Sequence, residues 1–569
     1  MSKITKLKIG LASCGIAAGG EAVLDVLKNA TTLPIDKVGC IGHCYAEPIV
    51  EACLEDGSSI LYGNVKADEN SIANILALSE KGRLEIPEAR SSKELLKVLA
   101  LAGKIVPTEL EDYLAHGGYE GLKKALSMKP EEVINEVKIS GLRGRGGGGF
   151  PTGTKWSFLA AKPGFDKTVI CNADEGDPGA FMDRSLMESV PHQVLEGMLI
   201  AAYATGASRL VIYCRAEYPL AIKHLKIAIA QINEHKLNIF GDRSVEITIK
   251  EGAGAFVCGE ETALIASLEG QRGMPRFRPP FPTDRGYQDK PTMINNVETF
   301  GNIPVILREG GENFAKTGSE GGRGTKLFAL AGDLKFPGLV EVPMGTTLNE
   351  IVFEIGGADP EHVKAVQTGG PSGGCIPVEL FNTPVDYDSL RSLGAIMGSG
   401  GLIVIGKDRC MVETARYFLD FTHRESCGKC TFCRVGTTRM YEILEKIVAG
   451  KGCEADLELL EDLGKKIKAG SLCGLGQTAP NPVLATLRFY RDEYLEHVNE
   501  HKCRALQCNA LTDVVLDKSK CVKCKLCIKT CPVNAISSDF VIDPALCTRC
   551  NSCLDCCPKK AINRAAKGE

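Results

Sequence analysis

Close to its C-terminus the chain writes the same cysteine run twice. Cys521, Cys524, Cys527 and Cys531 are followed by Pro532; Cys547, Cys550, Cys553 and Cys557 are followed by Pro558. C-x2-C-x2-C-x3-C-P suits neither a helix face nor a strand, and it bends a short loop around a thiophilic centre. The N-terminal segment MSKITKLKIGLASCG is too short in apolar residues to be a secretory signal. Without secretion, the chain's 25 cysteines are read as metal ligands rather than as disulfides, and the chain is placed in the cytoplasm. A third set follows the same logic. Cys427, Cys430 and Cys433 are spaced C-x2-C-x2-C, and Cys473 stands on a separate loop, SLCGLG. Three thiolates on one turn plus a distant fourth is [4Fe-4S] ligation, although zinc takes such thiolates too.

A glycine-rich stretch runs from Gly141 to Trp156 (GLRGRGGGGFPTGTKW), and five of the six residues from Gly144 to Gly149 are glycine. Bare backbone lets amides approach a ligand closely and opens positive φ. Arg143, Arg145 and Lys155 add positive charge, so a phosphate is the expected guest. The G-x-G-x-x-G inside it (Gly144, Gly146, Gly149) follows a helix that starts at Pro130 and stops before Gly141, whereas a dinucleotide turn follows a strand.

Beyond it, DKTVICNA, SRLVIYCRAEYP and SVEITIKEG read as strands separated by helices. That alternation predicts a largely parallel α/β sheet with ligands at the strand C-termini. The first strand ends in an acidic loop, Asn172, Asp174, Glu175 and Asp177. The third leads through Gly259 to Glu260 and Glu261, which open a helix. Carboxylates there serve the helix dipole or hold ribose hydroxyls. PRFRPPFP supplies Arg278 and Phe281, and NNVET supplies Asn295, Asn296 and Thr299.

These motifs, in this order, resemble the NADH-binding, FMN-containing subunit of respiratory complex I and the β subunits of soluble, electron-bifurcating NAD(P)-linked hydrogenases and formate dehydrogenases. The resemblance spans roughly residues 100 to 500. It implies FMN held by Gly144, Arg145, Gly146, Gly147, Lys155, Asn172, Asp174, Glu175, Asp177, Gly259, Glu260, Asn295, Asn296 and Thr299. It implies NAD(H) over the flavin, with Phe150, Phe158 and Phe281 on its rings and Glu261 on ribose. Asp177, Arg278 and Phe256 stand where the family has Glu, often Lys, and Tyr. The duplicated run resembles bacterial two-cluster ferredoxins, in which the fourth cysteine of each run serves the other cluster. One cluster then takes Cys521, Cys524, Cys527 and Cys557, and the other takes Cys547, Cys550, Cys553 and Cys531.

The N-terminal strand–helix–strand pattern with Cys14, Cys40 and Cys44 resembles a thioredoxin-like [2Fe-2S] domain, except that Gly19 stands at the position of its second cysteine. Cys53 is a substitute ligand or a packed thiol. His497, Cys503 and Cys508 have loose zinc spacing, which Cys410 or Cys453 would close; the alternative is unliganded residues in a linker. The expected architecture is multidomain α/β. It comprises a thioredoxin-like domain (1–85), an FMN/NADH-binding domain (100–325), a ubiquitin-like β-grasp domain (326–402), a helical [4Fe-4S] domain (403–500) and a two-cluster ferredoxin-like domain (510–569). Residues 76–140 read as linker and helices, and CNALTDVVLDKSK as a loose joint.

The cofactors expected are FMN, NAD(H) and three [4Fe-4S] clusters, with the N-terminal domain either holding one [2Fe-2S] cluster or standing empty and the His497 group either holding zinc or unliganded. The family implies a small thioredoxin-like [2Fe-2S] subunit, a hydrogenase or formate dehydrogenase catalytic subunit and soluble ferredoxin as partners. It implies a flow of electrons from NADH through FMN to the Cys427 cluster. The other role is electron input to a membrane NADH:quinone oxidoreductase, whose ordinary subunit lacks both terminal domains. A net charge of −4 gives no footprint for nucleic acid, and no run of 18 apolar residues offers a membrane span. A scaffold role leaves the glycine loop without a purpose.

Overall fold

The opening alternation of apolar residues becomes β1 (Ile4–Gly10), parallel to β2 (Ile35–Val38) and antiparallel to β3 (Val50–Leu54), which pairs with β4 (Ser59–Tyr62). α1 (Gly20–Ala30) joins the parallel strands and buries Val23, Leu24 and Leu27 with Leu7 and Ile9. This computed structural model describes residues 3–568, in two compact units, one ending at Ile405 and one beginning at Gly406.

In the first unit, much of the expected linker is core. Val98, Leu99, Tyr113, Leu122 and Val133 belong to the same apolar cluster as the central sheet. α2 (Pro130–Ile139) stops at Gly141, whose φ of +65° is the left-handed conformation that ends many helices. The sheet that follows combines β5 (Thr168–Ala173), β6 (Arg209–Arg215), β7 (Glu246–Gly252) and β8 (Thr292–Asn296), in the order β8-β5-β6-β7, all parallel. β8 is a strand the sequence does not announce, because TMINN is short and polar at one end. Four helices matter for the site: α3 (Thr152–Ala160), α4 (Met182–Ser189), α5 (Pro191–Thr205) and α6 (Pro219–Glu234). α5 is buried on nearly all sides, as expected for a helix apolar all round. α7 (Glu261–Leu268) and α8 (Val297–Glu309) start at the C-terminal edge of the sheet.

A third sheet has the order β10-β9-β13-β11-β12, built from β9 (Thr325–Gly332), β10 (Gly338–Pro343), β11 (Val363–Thr368), β12 (Gly374–Pro377) and β13 (Gly401–Gly406). β9 is antiparallel to β10 and parallel to β13. Its two faces both lie in core rather than in solvent. Leu327 and Ala329 join the main cluster, while Phe328 and Leu330 join a second one.

The second unit opens with helices α9 (Met411–Arg424), α10 (Thr431–Val448), α11 (Glu454–Gly470) and α12 (Asn481–Phe489). The expected joint is a strand: β14 (Thr512–Leu516) pairs antiparallel with β15 (Ile562–Ala566), and Val514 is buried among the C-terminal cysteines. Among the described residues no helix is long and apolar enough to cross a membrane.

Candidate functional site

The glycine loop is clasped from behind by its own arginines. Arg145 is fully buried; its guanidinium donates to the carbonyls of Thr325 and Arg143, each at 3.1 Å, and to that of Arg323. Arg143 donates to the Gly149 carbonyl at 2.7 Å and the Gly321 carbonyl at 2.9 Å. The expectation that both charges meet an anion is therefore corrected. A loop without side chains cannot hold its own shape, and these guanidiniums hold it by satisfying buried carbonyls. The amides are ordered too: Arg145 N–H donates to Thr299 Oγ1 at 2.9 Å, and Gly144 N–H to the Phe150 carbonyl at 2.9 Å. Glycine is needed here because Gly147 has φ +113°, and a Cβ on Gly146 would stand 2.9 Å from the Asn296 side chain.

In front of the loop lies a cavity of about 750 Å³, walled by Gly148, Lys155, Phe150, Phe158, Phe281, Arg278 and Glu261 among others. That volume suits a nucleotide-sized ligand. The three phenylalanines are each about half exposed, and the rings of Phe150 and Phe158 are 6.3 Å apart. Glu261 bridges two cations, with Arg278 Nη1 at 2.5 Å and Lys155 Nζ at 3.7 Å. Lys155 also donates to the Ile294 carbonyl at 3.1 Å. The cations facing this cavity are thus Lys155 and Arg278, with Lys162 at its wall.

Other candidates stand beside the cavity as supports. Glu260 caps α7, accepting the amides of Thr262 and Ala263 at 2.9 Å each. Asn296 caps α8 through the Glu298 amide at 3.0 Å and faces Asn172 across the sheet. Asn172 donates to the Gly259 carbonyl at 2.9 Å and accepts the Asp174 amide at 3.1 Å. The Asp174 charge is felt by Arg215 at the end of β6. Glu175 is buried and caps α4, accepting the amides of Asp183 and Arg184 at 3.1 Å each; desolvation raises its pKa. Asp177 accepts from Ser399 Oγ at 3.3 Å, and desolvation pushes its carboxyl up to about 7. Phe256 opens the turn Phe256–Gly259 and packs toward Gly176. Glu175, Asp177 and Phe256 lie outside the cavity lining.

Sequence reasoning misses the polar floor below the loop. Lys326 and Glu298, both fully buried, form an ion pair at 2.5 Å. Asp183 accepts from Asn296 Nδ2 at 2.5 Å and from the Glu298 amide at 3.3 Å; burial and its acidic neighbours Glu175 and Glu298 raise its pKa strongly. The available signal is a lysine at the head of an apolar strand, since a buried lysine requires a partner. α4 links this floor to the N-terminal sheet. Its last residues, Glu188 and Ser189, accept the Ser13 amide at 2.8 Å and the Cys40 amide at 3.0 Å.

The cysteines gather as follows. Cys14, Cys40 and Cys44 place their sulfurs within 4.8 Å of one another, while Cys53 lies in β3 opposite Ser59 of β4. In the second unit, Cys410, His497, Cys503 and Cys508 are all buried, with ligand atoms likewise within 4.8 Å. His497 Nε2 is 3.4 Å from Cys410 Sγ and 3.3 Å from Cys508 Sγ. His497 Nδ1 meets the Glu493 carbonyl at 2.6 Å, the outer contact that orients a metal-binding imidazole. Cys410 is therefore the fourth member. Cys453 is exposed and caps α11.

Cys433 feels the charges of Cys427, Cys430 and Cys473. Cys521, Cys524, Cys527 and Cys557 line one small cavity, and Cys531, Cys547, Cys550 and Cys553 line another. The two are matched in detail: Ala535 N–H donates to Cys531 Sγ and Ala561 N–H to Cys557 Sγ, both at 3.3 Å.

Three family models match the chain. The Nuo51 FMN-binding domain matches residues 137–305, the NADH-ubiquinone oxidoreductase-F iron-sulfur binding region matches 413–497, and a 4Fe-4S binding domain matches 514–537. The NADP-reducing hydrogenase subunit HndC of Solidesulfovibrio fructosivorans is 52% identical over 78% of this chain and 92% of its own length. An NADH-quinone oxidoreductase subunit of Rhizobium meliloti (strain 1021) is 45% identical over 69% of this chain and 95% of its own. The crystal structure of an NAD+-reducing [NiFe]-hydrogenase in the H2-reduced state superposes with a TM-score of 0.64 at 31% identity, covering 87% of this chain and 84% of that one. The chain belongs to the family of FMN-binding, NAD(P)H-linked iron–sulfur oxidoreductase subunits that serves both hydrogenases and NADH:quinone oxidoreductases.

Proposed function

We propose that this chain is the flavin- and NAD(H)-binding subunit of a soluble, electron-bifurcating hydrogenase-type complex. It would move electrons between NADH, ferredoxin and a partner catalytic subunit acting on H2 or formate. The observation that carries the reading is the cavity itself: three phenylalanines and a carboxylate held between two cations, beside Thr292, Met293 and Ile294 of β8.

The residues fit FMN. Gly148 lines the cavity with open space where a Cβ would stand. Asn295 Oδ1 is buried and accepts no hydrogen bond among the described residues, a cost of about 1–3 kcal/mol that a ring N–H would relieve. Bound there, FMN supplies the exchange between a hydride's two electrons and single-electron carriers. The chain supplies placement. Amides of Gly146 and Gly147 and Lys155 meet the phosphate, and Asn172, Asp174, Gly259, Asn295 and Thr299 surround the ring. Phe150, Phe158 and Phe281 stack the nucleotide and exclude water, and Glu261 accepts from a ribose diol.

Three [4Fe-4S] clusters are assigned: to Cys427, Cys430, Cys433 and Cys473; to Cys521, Cys524, Cys527 and Cys557; and to Cys547, Cys550, Cys553 and Cys531. Cys14, Cys40 and Cys44 hold a [2Fe-2S] cluster in a thioredoxin-like domain, and the Cys410 group holds zinc. A small [2Fe-2S] subunit, a catalytic subunit and ferredoxin are the partners, in the cytoplasm, and residues 326–402 are a ubiquitin-like domain. A second reading, NADH input to a membrane quinone reductase, is favoured by the likeness to the Rhizobium meliloti protein.

Deleting residues 510–569 from the assembled complex separates the two. NADH–dye activity is expected to remain and ferredoxin-linked activity to vanish. Full ferredoxin coupling in the truncated complex overturns ferredoxin exchange at residues 510–569 and points to a site on a partner, whereas co-purification with quinone-reductase subunits alone overturns the first reading.

A further inference from the structure

The two cysteine runs of the C-terminal domain are one device built twice. Residues 521–535 and 547–561 match position by position. Three matched pairs also share a left-handed backbone: Lys523 and Arg549 (φ +56° and +58°), Lys525 and Asn551 (+60° and +65°), and Lys560 and Asn534 (+47° and +51°). Behind the loops the halves are alike, down to an alanine amide on the fourth sulfur of each run. Each half is therefore a control for the other, and their outward faces differ.

Around Cys521, Cys524, Cys527 and Cys557, the side chains of Lys523, Lys525, Lys529, Lys559 and Lys560 are all exposed, and none forms an ion pair among the described residues. The matching positions on the other half hold Arg549, Asn551, Asp555, Val533 and Asn534. Arg549 is already engaged, 2.8 Å from Asp513 and donating to the Thr512 carbonyl at 2.7 Å. Five positive charges on one half thus stand against one positive and one negative on the other. The apolar surface divides the same way. Val522 and Leu526 are 57% and 43% exposed, in the places taken by Thr548 and Ser552. With Lys525 and Lys559 they line the cavity of the four cysteines. Asparagine tolerates the left-handed region better than lysine does. The fold alone therefore favours the residues at 551 and 534 over those at 525 and 560.

We propose that this lysine-rimmed apolar face over Cys521, Cys524, Cys527 and Cys557 is the docking surface for an acidic one-electron iron–sulfur protein of the ferredoxin type, and that the face over Cys547, Cys550 and Cys553 is not. The step rests on the ferredoxin-linked reading and the cluster assignments above. An apolar centre inside a polar rim is the build of a protein interface, and a rim of one sign draws in and orients a partner of the other. One electron passes from the reduced cluster of one protein to the oxidised cluster of the other, with no bond made and no proton moved. Positive charge beside a cluster also favours its reduced form, so the lysines act on binding and on potential in ways that measurement separates.

The test uses the assembled complex with three sets of substitutions beside wild type. A reversing set carries Lys523→Glu, Lys525→Glu and Lys559→Glu. A neutralising set, Lys523→Gln, Lys529→Gln and Lys560→Gln, avoids the cavity lining, and a control pair, Thr548→Glu and Asn534→Glu, alters the other half. Isothermal titration calorimetry measures Kd for an oxidised acidic two-cluster ferredoxin, steady-state kinetics give its KM and kcat, and iron analysis with circular dichroism reports intact clusters and fold. Kd and KM should rise about tenfold or more in the reversing set and less in the neutralising set. The differences should close in 1 M NaCl, where the Debye length is ~3 Å. The control pair should bind as wild type does. Binding unchanged in both lysine sets, or weakened equally by the control pair, overturns the assignment while ferredoxin coupling stands. A change confined to kcat makes the lysines tuners of potential and overturns it as well. Loss of a subunit from the lysine variants, with ferredoxin affinity kept, gives this face to a fixed partner and overturns it too. Wild type that neither binds nor reduces ferredoxin overturns this surface and the function proposed above together.

Discussion

Glu261→Ala removes the one carboxylate that faces both cations of the cavity. The side chain is 23% exposed and lies 2.5 Å from Arg278 and 3.7 Å from Lys155, so water competes for it only in part. A ribose diol donating to this carboxylate makes charge-assisted hydrogen bonds, each worth about 1.5–3 kcal/mol. Part of that is returned because the carboxylate must loosen its hold on Arg278. A net loss of about 2 kcal/mol raises KM for NADH ~30-fold. The same change leaves Lys155 and Arg278 uncompensated in front of the nucleotide, which favours a 2′-phosphate. KM for NADPH should therefore rise less than KM for NADH, or fall. The assay is dye reduction by the FMN-loaded chain with each nucleotide, with flavin absorbance measuring FMN content and Glu261→Gln controlling for side-chain volume. FMN content should not change. An unchanged KM for NADH in Glu261→Ala would refute the placement of ribose on this residue.

Arg145→Ala should cost about 3 kcal/mol of stability, since three buried carbonyls lose their donor. FMN content should fall with Tm, and Arg145→Lys should not restore either because an ammonium lacks the planar fork. Cys410→Ser and Cys508→Ser should each abolish one bound zinc per chain, measured by metal analysis, while Cys453→Ser retains it. Asp177, whose carboxyl is raised to about 7, binds a proton more tightly folded than unfolded. Its contribution to stability is complete below the unfolded carboxylate range and is lost as pH rises toward about 7. Thermal melts across that window should show wild type losing stability, relative to Asp177→Asn, as pH increases.

The motifs placed much of the site in advance because its local chemistry is written locally. Phe150, Phe158, Phe281 and Glu261 come from three separate stretches, and the parallel sheet brings them to one wall. What escaped was non-local. Arg145 reads as a phosphate ligand until the carbonyls of Thr325 and Arg323 arrive from a distant strand and occupy it. Cys410 and Cys453 both precede helices, and spacing alone cannot tell a ligand from a cap. β9 is apolar beyond its first two residues, and both of its faces are covered, by two different cores. The Lys326–Glu298 pair with Asp183 joins residues of three elements and leaves no pattern at any one of them.

α4 acquires a meaning of its own from its two ends. Asp183, in its first turn, belongs to the floor of the glycine loop, and Glu188 and Ser189, in its last, hold the amides beside Cys14 and Cys40. Eight helical residues span about 12 Å. The helix is thus a ruler between the floor of the glycine loop and the N-terminal thiols, with a length set by backbone hydrogen bonds rather than by the packing of loops. One residue inserted in α4 would turn its ends about 100° out of phase, and no side-chain repacking could bring both back into register.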